Sequence, residues 1–315
     1  MNPARDLRDV VTLLSEAFGA DTQFIGRWAF RGMRLAAWLT PLLGSWVFGP
    51  GVYGNALMAF VWQEAGRIVG HASVQRLDRW GRQWHIANVA VAAPYRNRGI
   101  GRRLMEAALE YIRERGGLWA LLQVKADNAP AVHLYRSLGF EPIGGDIRWR
   151  APVSTRRREN TVTLQPLQWS HIGELRDLAV RSLSEEERWW RDKMGMLAYL
   201  SYDLGKPVTP LWQWLGLAVY GWYGVWEGSR LVAALGVWGA RWRRHGRMVV
   251  WVDRRFWGRW EADLVHFGLE RLSQVGVGEV RLRMDANHRS LVEALRSAGF
   301  QKVLHLVNMR CWVGG

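Results

Sequence analysis

Cysteine is nearly absent: Cys311 is the only one in 315 residues. A single thiol makes no internal disulfide and no cysteine-cluster metal site, which fits an intracellular chain. Lysine is scarce as well, confined to Lys125, Lys193, Lys206 and Lys302, so nearly all of the 43 basic residues are arginine. Acidic residues number only 28, leaving a net charge of +15. Such an excess bears on partners and solubility and not on fold. It is spread over both halves, with one short run at Arg156–Arg158 and no basic tail. Without a zinc-finger or zipper signature it does not motivate a nucleic-acid partner. The start, MNPARDLRDVVTLL, carries Asp6 and Asp9 and has no apolar leader core, so the expected location is cytoplasmic.

What is present is an ordinary globular composition, 49% hydrophobic and 23% charged, with an unusual 21 Trp. The length suits roughly two domains. Residues 35–63 and 207–226 carry no charge, long enough to raise the question of a membrane span. Pro41, Pro50, Gly44, Gly49, Gly51 and Gly54 interrupt the first, and Pro207, Pro210, Gly216, Gly221 and Gly224 the second. A spanning helix is not punctuated in that way. The expectation is a buried helix and loop entering a buried strand, or an apolar lid or self-association surface. Neither an integral-membrane role nor a nucleic-acid role is expected.

The chain repeats itself. RNRGIGRRLMEAALEYIRERGG from Arg96 parallels RFWGRWEADLVHFGLERLSQVG from Arg255, and NAPAVHLYRSLGF from Asn128 parallels NHRSLVEALRSAGF from Asn287. An offset of about 160 residues is the mark of a tandem duplication. The expected division is a domain at 1–152, a basic linker at 153–159 and a second domain at 160–315. Each copy reads as an amphipathic helix, strand runs rich in β-branched and aromatic residues, a helix, a strand, a short helix and a final strand. TVTLQPL precedes the first helix of the second copy alone, so the first copy is expected to lack a first strand or to borrow one.

The strongest chemical signal is the strand HIANVAVA, the turn APYRNRGIG and the helix GRRLMEAALEYIRER. Gly99 and Gly101 let the backbone approach a ligand, and successive N–H groups at the helix start make an anion site. Arg98, Arg102 and Arg103 add positive charge there. A dinucleotide loop is excluded by the missing third glycine and late acidic residue, and a Walker loop by the missing Gly-Lys-Ser/Thr.

Arg96-x-x-Gly99-x-Gly101, the preceding Val89-Ala90-Val91, and Asn128 with Tyr135 closing in Leu138-Gly139-Phe140 resemble the GCN5-related N-acetyltransferase (GNAT) superfamily. The likeness is close over about 57–145 and weak over 220–305. It implies an α/β fold, two tandem acyl-CoA N-acyltransferase domains with mixed sheets splayed between the fourth and fifth strands. Acetyl-CoA would be the cosubstrate and no metal would be needed. Val89, Ala90 and Val91 would hold the pantetheine arm and the acetyl carbonyl. Arg96 and the N–H groups of Asn97, Arg98, Gly99, Ile100, Gly101 and Arg102 would hold the pyrophosphate. Asn128 would contact pantetheine or order its loop, and Tyr135 would protonate the departing thiolate. The acceptor would be an amine-bearing small molecule or a peptide N-terminus, attacking directly in a ternary complex.

The general base is the thin part of this reading. The first copy also resembles ribosomal-protein alanine acetyltransferases, which carry Glu where Gln123 stands. Many family members place a Glu on the fourth strand where His85 stands, and His can serve near neutral pH. His71 and a water relay are alternatives. In the second copy Trp260 is expected where Gly101 is, crowding the phosphates, and Leu295 where Tyr135 is, with Asn287 one residue out of register. Tandem mycothiol synthases are similar in architecture, but their C-terminal copy is the catalytic one. Expected here is an N-terminal catalytic copy and an inactive C-terminal one. The competing expectation is an acyl-CoA-binding sensor without catalysis, which Gln123 favours.

Overall fold

A computed structural model describes residues 3–18, 57–153, 162–194 and 213–314. Residues 35–56 and 207–212 of the uncharged stretches, with Trp38, Trp46 and Trp212, lie outside the described residues, as does the expected linker from 154 on.

The described chain forms two compact units. The first takes it up to Gln123, with Asn128–Glu141 and the end from Met309. Helix α1 (Pro3–Phe18) is followed by β1 (Leu57–Glu64), β2 (Arg67–Arg76), β3 (Gln83–Val91), α2 (Ile100–Glu114), β4 (Trp119–Lys125) and α3 (Ala129–Ser137). β1, β2 and β3 form an antiparallel meander, and β4 joins β3 in parallel. The buried run of β2 is covered on both faces. Val10, Leu13 and Leu14 recur at helical spacing on α1 and pack on Ile68 and Ala90. Ile100 and Leu104 of α2 pack on Val69 and Ala72. Spacing of three and four residues puts such side chains on one helix face, and strand alternation sends Ile68 and Val69 to opposite faces. Next to β4 lies the end of the chain, where the Val313 N–H donates to the Leu118 carbonyl at 2.9 Å and Trp312 meets Trp119 edge-on at 4.9 Å.

The second unit takes Val124–Asp127 and Pro142–Asn308. Its elements are β5 (Glu141–Pro152), β6 (Gln165–Pro166), α4 (Ile172–Arg181), α5 (Glu185–Lys193), β7 (Ala218–Glu227), β8 (Arg230–Ala240), β9 (His245–Val252), α6 (Glu261–Gln274), β10 (Glu279–Asp285), α7 (Arg289–Ser297) and β11 (Gln301–Trp312). β6 lies in the segment TVTLQPL and pairs with β7, with Gln165 opposite Gly224. Among the described residues the first unit has no strand before α1. The units follow the sequence repeat except at their last strands. β5 is antiparallel to β10 from Asp146–Asp285 to Pro152–Glu279, so residues 142–152 belong to the second unit. Residues 309–315, from the end of β11, belong to the first. The division therefore departs from the expected 1–152 and 160–315 at residues 142–152 and 309–315. No helix among the described residues is long and apolar enough to cross a membrane.

The second unit buries a carboxyl. Glu187 is 2% exposed, accepts from Arg191 Nε at 2.7 Å and from Asn308 Nδ2 at 3.2 Å, and has Asp285 and Asp146 nearby. Burial pushes its pKa up to about 7, with Arg191 opposing and the two Asp reinforcing. The folded protein thus holds this proton more tightly than the unfolded chain. The resulting stability is full below the unfolded carboxyl pKa of about 4.5 and is lost as pH rises through about 7. Glu187→Gln stays neutral throughout. Its melting temperature, relative to wild type, should rise by roughly 5 °C between pH 5 and pH 8. A difference flat across that range would show that Glu187 is charged in the fold.

Candidate active site

The site is built where β3 leaves β4. The two strands pair only at Gln83–Trp119, Trp84–Ala120 and His85–Leu121. Beyond His85 they part, leaving the β3 edge from Ala87 to Val91 without β4 beside it. β3 also bulges here. Its register with β2 slips between His71 and Ser73, and Asn88 sits at φ +54, a left-handed conformation that Asn tolerates better than most residues. Three bonds pin the bulge. His71 Nδ1 donates to the Asn88 carbonyl (2.9 Å), Ser73 Oγ to the Ala87 carbonyl (2.8 Å) and Asn88 Nδ2 to Ser73 Oγ (3.2 Å). A carbonyl only accepts, so the His71 proton is on Nδ1 and Nε2 carries the lone pair. Burial holds His71 below the ordinary histidine pKa. Ser73 and Asn88 were not legible as site residues, because a bulge leaves no periodic mark in one sequence.

The strand ends in a turn over Ala93–Tyr95, and α2 begins at Ile100. Asn97 and Gly99 have φ +61 and +77, which turns the backbone so that consecutive N–H groups lead into the helix. Among the described residues, no hydrogen-bond acceptor meets the amides of Asn97, Arg98, Gly99, Ile100, Gly101 or Arg102. A Cβ on Gly99 would meet nothing within 4 Å, whereas one on Gly101 would lie 3.4 Å from Leu134 Cδ2. The arginines are partly committed. Arg96 Nε donates to the Val91 carbonyl (3.1 Å), Arg98 lies over the Tyr95 ring (5.1 Å), and Arg102 Nη2 donates to Ser137 Oγ (2.6 Å). Arg98 remains exposed beside the open amides, and Arg102 is held at α3.

Asn128 caps α3, its Oδ1 accepting from the Ala131 N–H at 3.3 Å. That ordering of the loop is one of its two expected roles. Tyr135 lies on the same helix, buried against Phe140 at 6.0 Å between ring centres. Its pKa is pushed up to about 12 by burial, so the phenol keeps its proton at neutral pH. His85 stands at the last β3–β4 pair, and burial lowers its pKa to about 4. It is neutral at pH 7 and a weak proton acceptor. Gln123 is half-buried on β4. No cluster of three or more metal-binding side chains exists among the described residues.

The second copy matches element by element in a register different from the one read from sequence. Gly258 (φ +96) takes the place of Asn97, Trp260 as helix N-cap takes the place of Gly99, and His288 rather than Asn287 is the residue before α7, as Asn128 is before α3. Trp260 does not crowd the turn. It is 6% exposed and packs in the core with Phe256. Leu295 does replace Tyr135 in the short helix and is fully buried.

Residues 22–140 match the model of the family described as Acetyltransferase (GNAT) family. The streptothricin acetyltransferase of Streptomyces lavendulae is 41% identical over 81 residues, 26% of this chain and 42% of its own length. The N-alpha-acetyltransferase RimI of Mycobacterium tuberculosis is 39% identical over 83 residues, 26% of this chain and 51% of its own. The chain spans about half the length of these curated relatives. A crystal structure of a GCN5-related N-acetyltransferase from Sphaerobacter thermophilus aligns over 99% of this chain and 94% of its own, with TM-score 0.59 at 17% identity, which shows the shared fold.

The state of His85 can be read directly. In an NMR titration its ring should stay neutral until the pH falls to about 4. A midpoint near the ordinary 6.5 would mean that water reaches the ring at the strand junction.

Proposed function

We propose that this chain, whose residues 22–140 match the model of the acetyltransferase (GNAT) family, is an acetyl-CoA-dependent N-acetyltransferase whose first unit carries the chemistry. The observation that carries this reading is the run of acceptor-free amides from Asn97 to Arg102, ahead of a helix and beside a parted strand edge. Helix-start N–H groups are orphan donors with a partial positive charge. A pyrophosphate fits their chemistry and the open space at Gly99. Arg98 would add charge there, and the β3 edge at Val89, Ala90 and Val91 would take the extended pantetheine amides as a strand takes a partner. When bound, acetyl-CoA supplies the activated acetyl group.

This chain's own groups would do the rest. The Tyr135 phenol holds its proton and would donate it at the leaving sulfur, a role that typically contributes 10²–10⁴-fold. A β3 N–H at the bulge would donate to the developing oxyanion. His85 is neutral and would accept a hydrogen bond from the amine or from an intervening water. Its low basicity favours the water route over direct deprotonation of an ammonium. Cys311 is a poor candidate for an acyl carrier. It is 7% exposed, its thiol lies 3.7 Å from the Leu138 carbonyl, and burial raises its pKa. Thiolates, not thiols, are the nucleophiles, so direct attack by the amine is favoured. The relatives are named for streptothricin and for N-alpha acetylation, and the acceptor class proposed here is a primary amine, free or at a peptide N-terminus.

Gln123 and the weak base His85 favour a second reading, an acyl-CoA sensor that binds without turnover. Thiol release from acetyl-CoA with a panel of primary amines separates the two. Amine-dependent release is expected; tight CoA binding with no release for any amine would leave the sensor. Tyr135→Phe should lower kcat by roughly 10²-fold while CoA affinity stays within about twofold. Unchanged kcat would remove the acid from Tyr135.

A further inference from the structure

In the second unit the same helix start is not open. The Glu261 carboxylate, first residue of α6, folds back over the preceding turn. Its Oε1 accepts from the Gly258 N–H (2.8 Å), Ser290 Oγ (2.8 Å) and His288 Nε2 (2.7 Å), and its Oε2 from the Trp260 N–H (3.1 Å). Because a carboxylate only accepts, His288 Nε2 bears the proton. The His288 ring is stacked on Trp257, with centres 4.1 Å apart at 12°. Glu261 and His288 are almost wholly buried. Burial pushes the Glu261 carboxyl up, but the bonds from His288, Gly258 and Ser290 more than offset this and hold it below the ordinary range.

This is the coordination that an anion receives at a helix N-terminus: two backbone N–H groups, a hydroxyl and an imidazole. The first unit has none of the side chains that would supply it from within. Ile100 stands first in α2 where Glu261 is first in α6, Asn128 precedes α3 where His288 precedes α7, and Pro130 stands where Ser290 does. Correspondingly, its amides from Asn97 to Arg102 meet no acceptor among the described residues.

We infer that Glu261 is a built-in anion that permanently fills the phosphate turn of the second unit, so that the chain binds one CoA, at its first unit only. This rests on the reading that the Asn97–Arg102 turn holds the pyrophosphate. It assigns to Glu261, rather than to the bulk of Trp260, the closure of the second turn. Trp260 lies in the core and leaves the turn itself to the carboxylate.

Amide NMR of the whole protein keeps the two ideas apart. On adding CoA to the wild type, the Gly99 and Gly101 amides report on the first turn, and the Gly258 and Trp260 amides on the second. The inference expects the second pair to stay still. If they move over the same CoA concentrations as the first pair, the inference is overturned. If the first pair does not move, it is the proposed function that fails. Glu261→Ala should then let inorganic pyrophosphate shift Gly258 and Trp260, which it does not do in the wild type. A folded Glu261→Ala protein, judged by its dispersed spectrum, whose second turn ignores pyrophosphate would also overturn the inference. Should that variant not fold, the wild-type titration alone decides.

Discussion

Backbone N–H groups at a helix start have no partner within the helix, and this constraint separates the two halves of the protein. Each such group must find an acceptor in a side chain, in water or in a ligand. In the second unit the chain supplies the acceptor itself, through Glu261 at Gly258 and Trp260. In the first unit it supplies none from Asn97 to Arg102 among the described residues. Two copies of one supersecondary unit, strand, turn and helix, thus reach opposite solutions to the same accounting problem.

The arginine excess finds part of its explanation in similar accounting. Arg181 and Arg230 converge on the buried Asp253 at the end of β9, and the Asp253 carboxylate also takes the Arg255 N–H. Arg283 and Arg148 face buried Asp146. A buried carboxylate is costly unless paired and hydrogen-bonded, and guanidinium groups meet carboxylates with a planar fork of donors. Part of the basic surplus is therefore structural. The tryptophans divide likewise. Trp84, Trp149, Trp190, Trp222, Trp251 and Trp260 are buried, with Trp222 and Trp251 stacked at 4.5 Å. Trp80, Trp169, Trp214, Trp242 and Trp312 are exposed.

The glycine turn ahead of α2 was legible because its signal is local: Gly99 and Gly101 at a strand–helix junction mark a turn without tertiary context. The fold followed from the same motif and from the 160-residue repeat. What escaped depends on partners distant in the chain. Aligning Arg255 with Arg96 put Trp260 over the phosphates, whereas the turn aligns by backbone conformation, Gly258 with Asn97, and Trp260 turns into the core. Glu261 looked like any acidic residue in a first helical turn, since the groups that fix it, His288 and Ser290, lie 27 and 29 residues away. The seating of β5 against β10 was equally hidden, because hydrophobic periodicity identifies a strand and not its neighbour. His85 was chosen for its place on the strand, where family members carry Glu, and its burial, which lowers its pKa to about 4, was not legible there.

The two turns also differ in what they do for stability. A turn closed by its own carboxylate has its donors satisfied in the free protein, and four hydrogen bonds to one charged group are individually among the stronger kinds. A turn left open keeps donors unsatisfied by protein until a ligand arrives, and binding energy that the fold could have used internally is reserved for that ligand. Residues held at positive φ, such as Asn88 and Asn97, add backbone strain of the sort that persists where function requires it. In the second turn the positive φ falls on Gly258, where it costs little. The second turn is therefore self-contained, and closing it needs no loss of fold. The hydrophobic cluster around Leu264, Leu272, Leu291 and Leu295 is complete without any ligand. The same few N–H groups can serve either a ligand or the fold, and under the proposed function each copy serves one of the two.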